Sequence, residues 1–270
     1  MRVAILADIH GNLPALDAVL NDAARKGIKT FWCLGDVVGY GPWPVHCWKT
    51  VQELKIDENA WVVGNHDLGL LNEQNRVLYT DRYARVVLDR HYEDCQMGYP
   101  SIFEQIKRIK TIAQPRPDVI LAHGVPKPND TFWTVTKYTK TKIDPEQAVA
   151  DLSKEGIHPQ IIAVGHTHKA IFWRKRVDQN PKDTKWLKEE PEGEMPLGDL
   201  SYQVVYLNPG SVGQPRGQGR KASYCYIDWN QMTVCFRRVR YRLKSTRTRM
   251  EELGYPRKLI QDWYSGSGNK

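Results

Sequence analysis

The chain has 270 residues, 41% of them hydrophobic and 26% charged, and a formal net charge of +8. This is the balance of a soluble globular protein long enough for one large domain. No run of about 18 apolar residues occurs, which excludes a membrane-spanning helix. The first apolar run stops at Asp8, too early for a signal peptide, so a cytoplasmic location without a membrane partner is expected.

The five cysteines, Cys33, Cys47, Cys95, Cys225 and Cys235, are odd in number, scattered and without a CxxC pair. That spacing suits neither a disulfide framework nor a cysteine zinc site, and buried free thiols are expected. The positive charge favours anionic partners: phosphorylated small molecules, nucleotides or nucleic acid, without choosing among them.

In chain order, residues 3–6 are a strand signal that ends at Ala7-Asp8. Asn12 is placed to cap a helix on which Leu13, Leu16, Val19, Leu20 and Ala23 recur at helical spacing until Gly27. Residues 30–34 and 61–63 read as strands ending at Gly35-Asp36 and at Gly64-Asn65-His66-Asp67. This order argues for an α/β fold with a largely parallel first sheet. Residues 82–110 read as helical, and 119–122 as a strand ending at His123. Residues 145–156 read as a helix capped by Asp144 with Pro145 at its first position, and 161–164 as a strand ending at Gly165-His166.

Residues 170–173, 202–207, 222–228 and 232–239 also read as strands, the last two joined as a hairpin through Asp228-Trp229-Asn230-Gln231. Residues 174–200 are polar and carry both charges, as a long solvated loop or hairpin tip does, and 264–270 read as a disordered tail. Two packed sheets with helices outside fit this order.

Five clusters stand at predicted strand ends: Asp8-Ile9-His10, Gly35-Asp36, Gly64-Asn65-His66-Asp67, His123-Gly124 and Gly165-His166-Thr167-His168. In an α/β sheet such ends line one crevice. On an extended strand end residues i and i+2 point the same way, so Asp8 with His10, and His166 with His168, are expected to reach one centre. Carboxylate, amide and imidazole donors suit Mn, Fe, Zn, Ni or Co better than a pure magnesium site. One metal does not need so many ligands, and the two oxygens of Asp36 suit a bridge between a pair. Two cations about 3.5–4 Å apart form a clamp for displacement at phosphorus and lower the pKa of bound water towards roughly 7.

In this order the clusters resemble the pattern DxH, GD, GNH[DE], H and GHxH of the calcineurin-like metallophosphoesterase superfamily. The segment Asn208-Pro209-Gly210-Ser211-Val212-Gly213-Gln214-Pro215-Arg216 is similar to one in its small prokaryotic phosphodiesterase branch. The resemblance covers residues 1 to about 240. It implies a sandwich of two mixed β-sheets flanked by helices over 1–245, with a polar insertion at about 174–200 and a C-terminal extension over 246–270. It also implies two divalent metals, manganese favoured. One would take Asp8, His10, Asp36 and His168, and the other Asp36, Asn65, His123 and His166. His66 would face the substrate and stabilise the transition state or protonate the leaving oxygen, with Asp67 on its far ring nitrogen. The implied activity is hydrolysis of phosphate mono- or diesters by metal-activated hydroxide, on substrates that include nucleotides or dinucleoside polyphosphates. The alternatives are a nuclease or nucleic-acid end-processing enzyme on the same centre, and a silent scaffold. A homo-oligomer is compatible with all three.

Outside these motifs, His46, His91 and His158 read as surface or helix-packing histidines. Tyr40, Trp43, Trp133 and Tyr138 read more readily as packing residues than as stacking platforms for a base. Arg216 suits either a phosphate or a surface salt bridge, and Gly210, Ser211 and Gly213 either a plain turn or a loop against the centre. The basic run from Arg237 to Lys244 is explained most simply as a half-buried strand with a solvated face.

Overall fold

The computed structural model describes residues 1–139, 143–177, 185–216 and 219–265. Its first half runs β1 (Arg2–Leu6), α1 (Leu13–Arg25), β2 (Thr30–Cys33), α2 (Pro44–Glu53), α3 (Asn65–Leu70), α4 (Glu73–Tyr79), α5 (Arg82–Gly98), α6 (Ile102–Arg108), β3 (Ile112–Arg116) and β4 (Val119–Ala122). The second half runs α7 (Thr131–Thr136), α8 (Ile143–Lys154), β5 (Ile161–Ala163), β6 (Ala170–Arg176), β7 (Leu187–Glu189), β8 (Gly193–Pro196), β9 (Gln203–Pro209), β10 (Ala222–Asp228), β11 (Thr233–Val239), α9 (Leu243–Glu252) and α10 (Arg257–Ser265).

Strand alternation builds the layers. Val3 and Ile5 of β1 point into a core shared with Val119, Leu121, Val205 and Leu207 of the facing sheet. Ala4 and Leu6 point the other way, into a second core with Leu16, Trp48 and Leu88 of the outer helices. Ile120 and Ile162 likewise face Ala148 and Leu152 of α8. Strands covered on both faces read as continuous apolar runs, which is why they were visible in the sequence.

The first sheet has the order β2-β1-β10-β11-β8 and the second β3-β4-β5-β9-β6-β7. The first is not largely parallel: only β1 and β2 run together, and β10 lies antiparallel on β1 because the C-terminal hairpin folds back onto it. Residues 61–63 make only isolated bridges, Cys33 to Trp61 and Val62 to Lys110, since α3 begins directly after Gly64. The helical stretch 82–110 breaks at Tyr99, whose φ of −163° takes it out of the helix, as the proline that follows demands. Asn12 does not cap α1. Its Nδ2 donates to Gly213 O at 2.8 Å and its Oδ1 accepts from Thr246 Oγ1 at 3.0 Å, tying three distant segments together. Helix α8 starts at Ile143, so Asp144 and Pro145 sit inside its first turn.

The polar segment 174–200 is more than a solvated loop. Residues 178–184 lie outside the described residues, but β7 pairs with β6 on the second sheet and β8 with β11 on the first. The segment thus straps one edge of both sheets. Trp186 anchors it: the ring is buried against Tyr206, and Nε1 donates to Glu146 Oε2 at 2.8 Å. Pairing satisfies sheet edges while the side chains stay in water, so a strap of this kind needs little apolar sequence.

The C-terminal extension packs on the body. Met250, Tyr255, Leu259, Ile260 and Trp263 form an apolar cluster with Tyr40, Ala84 and Val87. Helix α10 continues to Ser265, so the expected tail is helical at 264–265, and 266–270 lie outside the described residues. All five cysteines are buried free thiols. Among the described residues no helix is long and apolar enough to cross a membrane.

His91, on α5, joins this extension to the loop after β2. Its Nδ1 accepts from Gly39 N at 3.3 Å, its Nε2 donates to Gly41 O at 2.8 Å, and Tyr255 Oη lies 3.1 Å from Nε2. Complete burial pushes its pKa down to about 3, so the neutral Nε2–H form is held at pH 7. An unfolded histidine titrates near ~6.5, so the unfolded chain binds the extra proton as pH falls from there towards 3, and stability falls with it. Urea unfolding of the metal-free protein should show the wild type losing more stability than His91→Gln between pH 7.5 and 5. The excess should approach one proton, or ~1.4 kcal/mol per pH unit below the unfolded pKa. Equal pH slopes would show that His91 is not held neutral.

Candidate metal centre

The five motifs meet where the two sheets abut. Asp8 follows β1, Asp36 follows β2 and Asn65 opens α3 from the first-sheet side. His123 follows β4 and His166 follows β5 on the other, with His168 just before β6. All expected ligands come together. Asp8, His10 and His168 form one group of converging donor atoms, and Asp36, His123 and His166 an adjacent one. Asn65 joins the second, with Oδ1 3.1 Å from His123 Nε2 and its amide fixed by Nδ2 donating to Tyr79 O at 3.0 Å.

Asp36 lies between the groups. Its Oδ2 is 3.2 Å from His123 Nε2 and 3.7 Å from His10 Nε2, while Oδ1 accepts from the His66 amide at 2.8 Å. Asp8 Oδ1 lies 3.4 Å from His168 Nε2 and 3.9 Å from His10 Nε2, and both its oxygens accept from the His166 amide at 3.1 Å.

The convergence is not that of extended strand ends. Asp8, His10, Asp36, His166 and His168 have φ of 53°, 48°, 55°, 66° and 58°, in the left-handed region that side chains normally avoid. Paired left-handed residues one apart turn both Asp8 and His10 inward, and likewise His166 and His168.

Backbone carbonyls set the histidine tautomers. His10, His123 and His168 donate Nδ1–H to Val38 O at 3.1 Å, Leu34 O at 2.7 Å and Gln214 O at 2.8 Å. In the neutral ring each Nε2 then carries its lone pair towards the centre. Burial holds His10 and His168 well below the usual histidine range and brings His166 down to about 3. Burial pulls His123 the same way, but the Asp36 carboxylate lifts it to about 9. Burial raises Asp8 to about 7, whereas Asp36, buried too, is held below the carboxylate range by His123 and His66. The Nε2 atoms of His10 and His168 face each other at 2.9 Å. Two neutral lone pairs repel at that distance unless a cation lies between them. Two carboxylates, an amide oxygen and four imidazoles thus fit a pair of borderline divalent cations.

Asp67 is not the partner of His66. Its Oδ2 accepts from the amides of Asp36 at 2.8 Å and Gly64 at 3.1 Å, and its Oδ1 from Val37 at 2.9 Å and Val38 at 3.1 Å. As the third residue of α3 it turns back to cap that helix and holds the Asp36 loop. His66 Nδ1 is buried and has no hydrogen-bond partner, and its Nε2 stands 4.0 Å from Asp36 Oδ2.

The loop after β9 abuts the centre. Ser211 Oγ donates to Asp8 O at 2.7 Å and accepts from Gln214 N at 2.7 Å, while Asn208 Nδ2 donates to Gly165 O at 2.6 Å. A Cβ on Gly213 would run into the Ile9 carbonyl, so only glycine fits there.

A cavity of about 930 Å³ opens from Asp36, Asn65, His66, His166 and His168. Tyr40 and Tyr138 line it, Tyr40 with its ring 4.8 Å from His10 and 4.5 Å from His66, and Tyr138 5.8 Å from His166. Trp43 packs on the helix-side core, and Trp133 lies between Lys127 and Lys137. His46 and His158 are exposed away from the site. Arg237 pairs with Asp22 at 3.1 Å while Arg238 and Arg240 face solvent, the half-buried strand that was expected.

Residues 1–232 match the model of the calcineurin-like phosphoesterase superfamily domain. An uncharacterized protein of Methanocaldococcus jannaschii is 32% identical over 249 residues, which covers 90% of this chain and 88% of that protein. Phosphodiesterase YfcE of Escherichia coli is 22% identical over 236 residues, covering 87% of this chain and 91% of its own. The crystal structure of a metallophosphoesterase from Sphaerobacter thermophilus is similar at a TM-score of 0.75 and 29% identity, over 98% of this chain and 100% of that one. With the sandwich and the five motifs in place, the chain belongs to the calcineurin-like phosphoesterase superfamily.

Proposed function

We propose that this phosphoesterase works with two divalent cations, held by Asp8, His10, Asp36 and His168 on one side and by Asp36, Asn65, His123 and His166 on the other. The observation that carries this reading is the pair of adjacent donor groups, Asp8 with His10 and His168 and Asp36 with His123 and His166, with Asp36 Oδ2 3.7 Å from His10 Nε2 and the imidazole lone pairs of His10 and His168 2.9 Å apart. When bound, such cations neutralise phosphoryl oxygens and acidify water. Nitrogen-rich donors favour manganese, iron, zinc, nickel or cobalt, and manganese is the first to try.

The chain's own groups do the rest. His66 lines the cavity with its ring free of a second-nitrogen partner, and serves as the proton donor to the leaving oxygen. Burial lowers its pKa in the free protein, and the negative charge of a bound phosphate ester raises it again. Asp67 acts through the loop it holds, as a positioning residue for Asp36.

The substrate proposed is a small phosphate mono- or diester, with nucleotides and dinucleoside polyphosphates included. A half-open cavity of about 930 Å³ walled by Tyr79, Tyr83, Tyr138 and Trp173 accommodates an organic group of that size. A silent scaffold is disfavoured because every ligand of the motif is present. A cytoplasmic location is part of the same reading, in keeping with the five free thiols.

The test is turnover of an aryl phosphodiester beside its monoester, using metal-stripped protein resupplied with manganese. Hydrolysis should return with two metals per chain, and its absence across several metals in folded protein would refute the proposal. His66→Ala should lower kcat by roughly 10²–10⁴-fold with metal content unchanged. Loss of a metal from that variant would instead make His66 a ligand. Asp36→Asn should weaken both metals, measured by competition with a chelator, and two tight metals in that variant would refute the bridge. Asp67→Asn turns an amide NH₂ towards backbone donors and should lose roughly 2–4 kcal/mol of stability in urea unfolding. A stability within about 0.5 kcal/mol of wild type would show that those four contacts do not hold the loop.

A further inference from the structure

One charged side chain on the cavity wall takes no part in holding the centre. Arg216 follows Gln214 on the loop after β9 and lines the cavity together with Tyr40, His66 and His168. Its backbone N–H donates to His168 O at 3.2 Å, and its Nη2 donates to Gln214 Oε1 at 3.2 Å. Its Nε is buried and has no hydrogen-bond partner. The Tyr40 hydroxyl lies close enough for the guanidinium to draw its pKa down against the larger effect of burial.

The partners of Arg216 are thus neutral, an amide oxygen beside a phenol. Other arginines of the fold are neutralised: Arg2 by Asp228 at 2.7 Å, Arg116 by Asp118 at 2.9 Å and Arg237 by Asp22 at 3.1 Å. A half-buried guanidinium with an unused N–H retains its full charge for an anion, and it is costly to keep unless an anion comes.

We propose that Arg216 is a catalytic residue, its free Nε–H and an adjacent Nη–H holding a non-bridging oxygen of the scissile phosphoryl group. This rests on the two-metal phosphoesterase reading above and adds a positive group that the metal motifs do not include. In phosphoryl transfer the negative charge is spread over the equatorial oxygens, so a fixed guanidinium aimed at one of them stabilises the transition state. The planar fork suits that oxygen, and an ammonium group does not reproduce it. Gln214 is the positioning residue. Its carbonyl accepts from His168 Nδ1 at 2.8 Å and its Oε1 accepts from Arg216, so one residue registers the guanidinium against a metal ligand.

The experiment compares manganese-loaded wild type, Arg216→Ala and Arg216→Lys in three measurements: metal content, calorimetric Kd for inorganic phosphate, and kcat/KM on the aryl phosphodiester. Both variants should keep two metals per chain and bind phosphate about 10- to 100-fold more weakly. Turnover should fall roughly 10²–10³-fold, with free guanidinium partly restoring Arg216→Ala but not the lysine variant. Unchanged phosphate affinity and turnover in Arg216→Ala, beside an active wild type, would overturn this assignment alone. So would loss of metal from both variants, which would make Arg216 a structural support. A wild type that hydrolyses neither ester would overturn the parent reading, and this assignment with it.

Discussion

The Asp36 carboxylate is fully buried, and its charge must be answered inside the protein. The His66 amide donates to Oδ1 at 2.8 Å, and His123 Nε2 stands 3.2 Å from Oδ2. Removing such a group from water costs several kcal/mol unless the answering groups are held in place. That requirement propagates outward. The amides of Asp36, Val37 and Val38 point to Asp67, which fixes the loop from beneath. Gly64 passes so near that a Cβ there would strike the Asp36 carboxylate, so the second and third motifs form one mechanical unit.

Backbone strain follows from the same demand. Five of the expected ligands sit at left-handed φ, each at roughly 1–3 kcal/mol. Hydrogen bonds between the loops offset this: His10 N to Asp36 O at 2.9 Å, Gly11 N to Val37 O at 2.9 Å, Gly213 N to Asp8 O at 2.9 Å and Val212 N to Ala7 O at 3.0 Å. Loops knitted in this way do not relax independently. The donor atoms are therefore arranged before any cation arrives, and the cost of ordering them is met during folding rather than at binding.

The cluster of donor side chains was legible in the sequence because chemistry restricts it: few residue types offer these donors, and apolar strands lead into each motif. Strands covered on both faces, such as 119–122 and 222–228, were legible for the same apolar reason. Conformation was not, since nothing in Asp8-Ile9-His10 distinguishes an extended end from a left-handed pair. Asp67 was misread by its adjacency to His66, although a glycine followed three residues later by an acid at a helix start is a capping signal. His91 looked like an ordinary packing residue because its partner Tyr255 lies 164 positions away. The strap strands β7 and β8 were hidden by charge, as their edge pairing uses the backbone and leaves the side chains in water.

The division of labour within the cavity follows from where its walls originate. The ligands come from loops that tie the two sheets together, and a change in any of them disturbs the others. The outer wall comes from elsewhere: Lys188, Glu189, Glu190 and Pro191 from the strap, Tyr79, Thr80, Asp81 and Tyr83 from the α4–α5 corner, and Leu259 from α10. Helices α9 and α10 lie beyond the residues that match the superfamily model, yet through His91 and Tyr255 they brace the loop carrying Asp36 and Tyr40. Of the strap residues on this wall, Glu189 is tied to Arg174, at 2.6 Å, and belongs to neither donor group, so this part of the wall is built apart from the centre. The wall is thus separable from the donor cluster on the strap side and coupled to it on the α10 side, where a change in packing reaches Gly39 and Gly41 and, through them, the loop that holds Asp36.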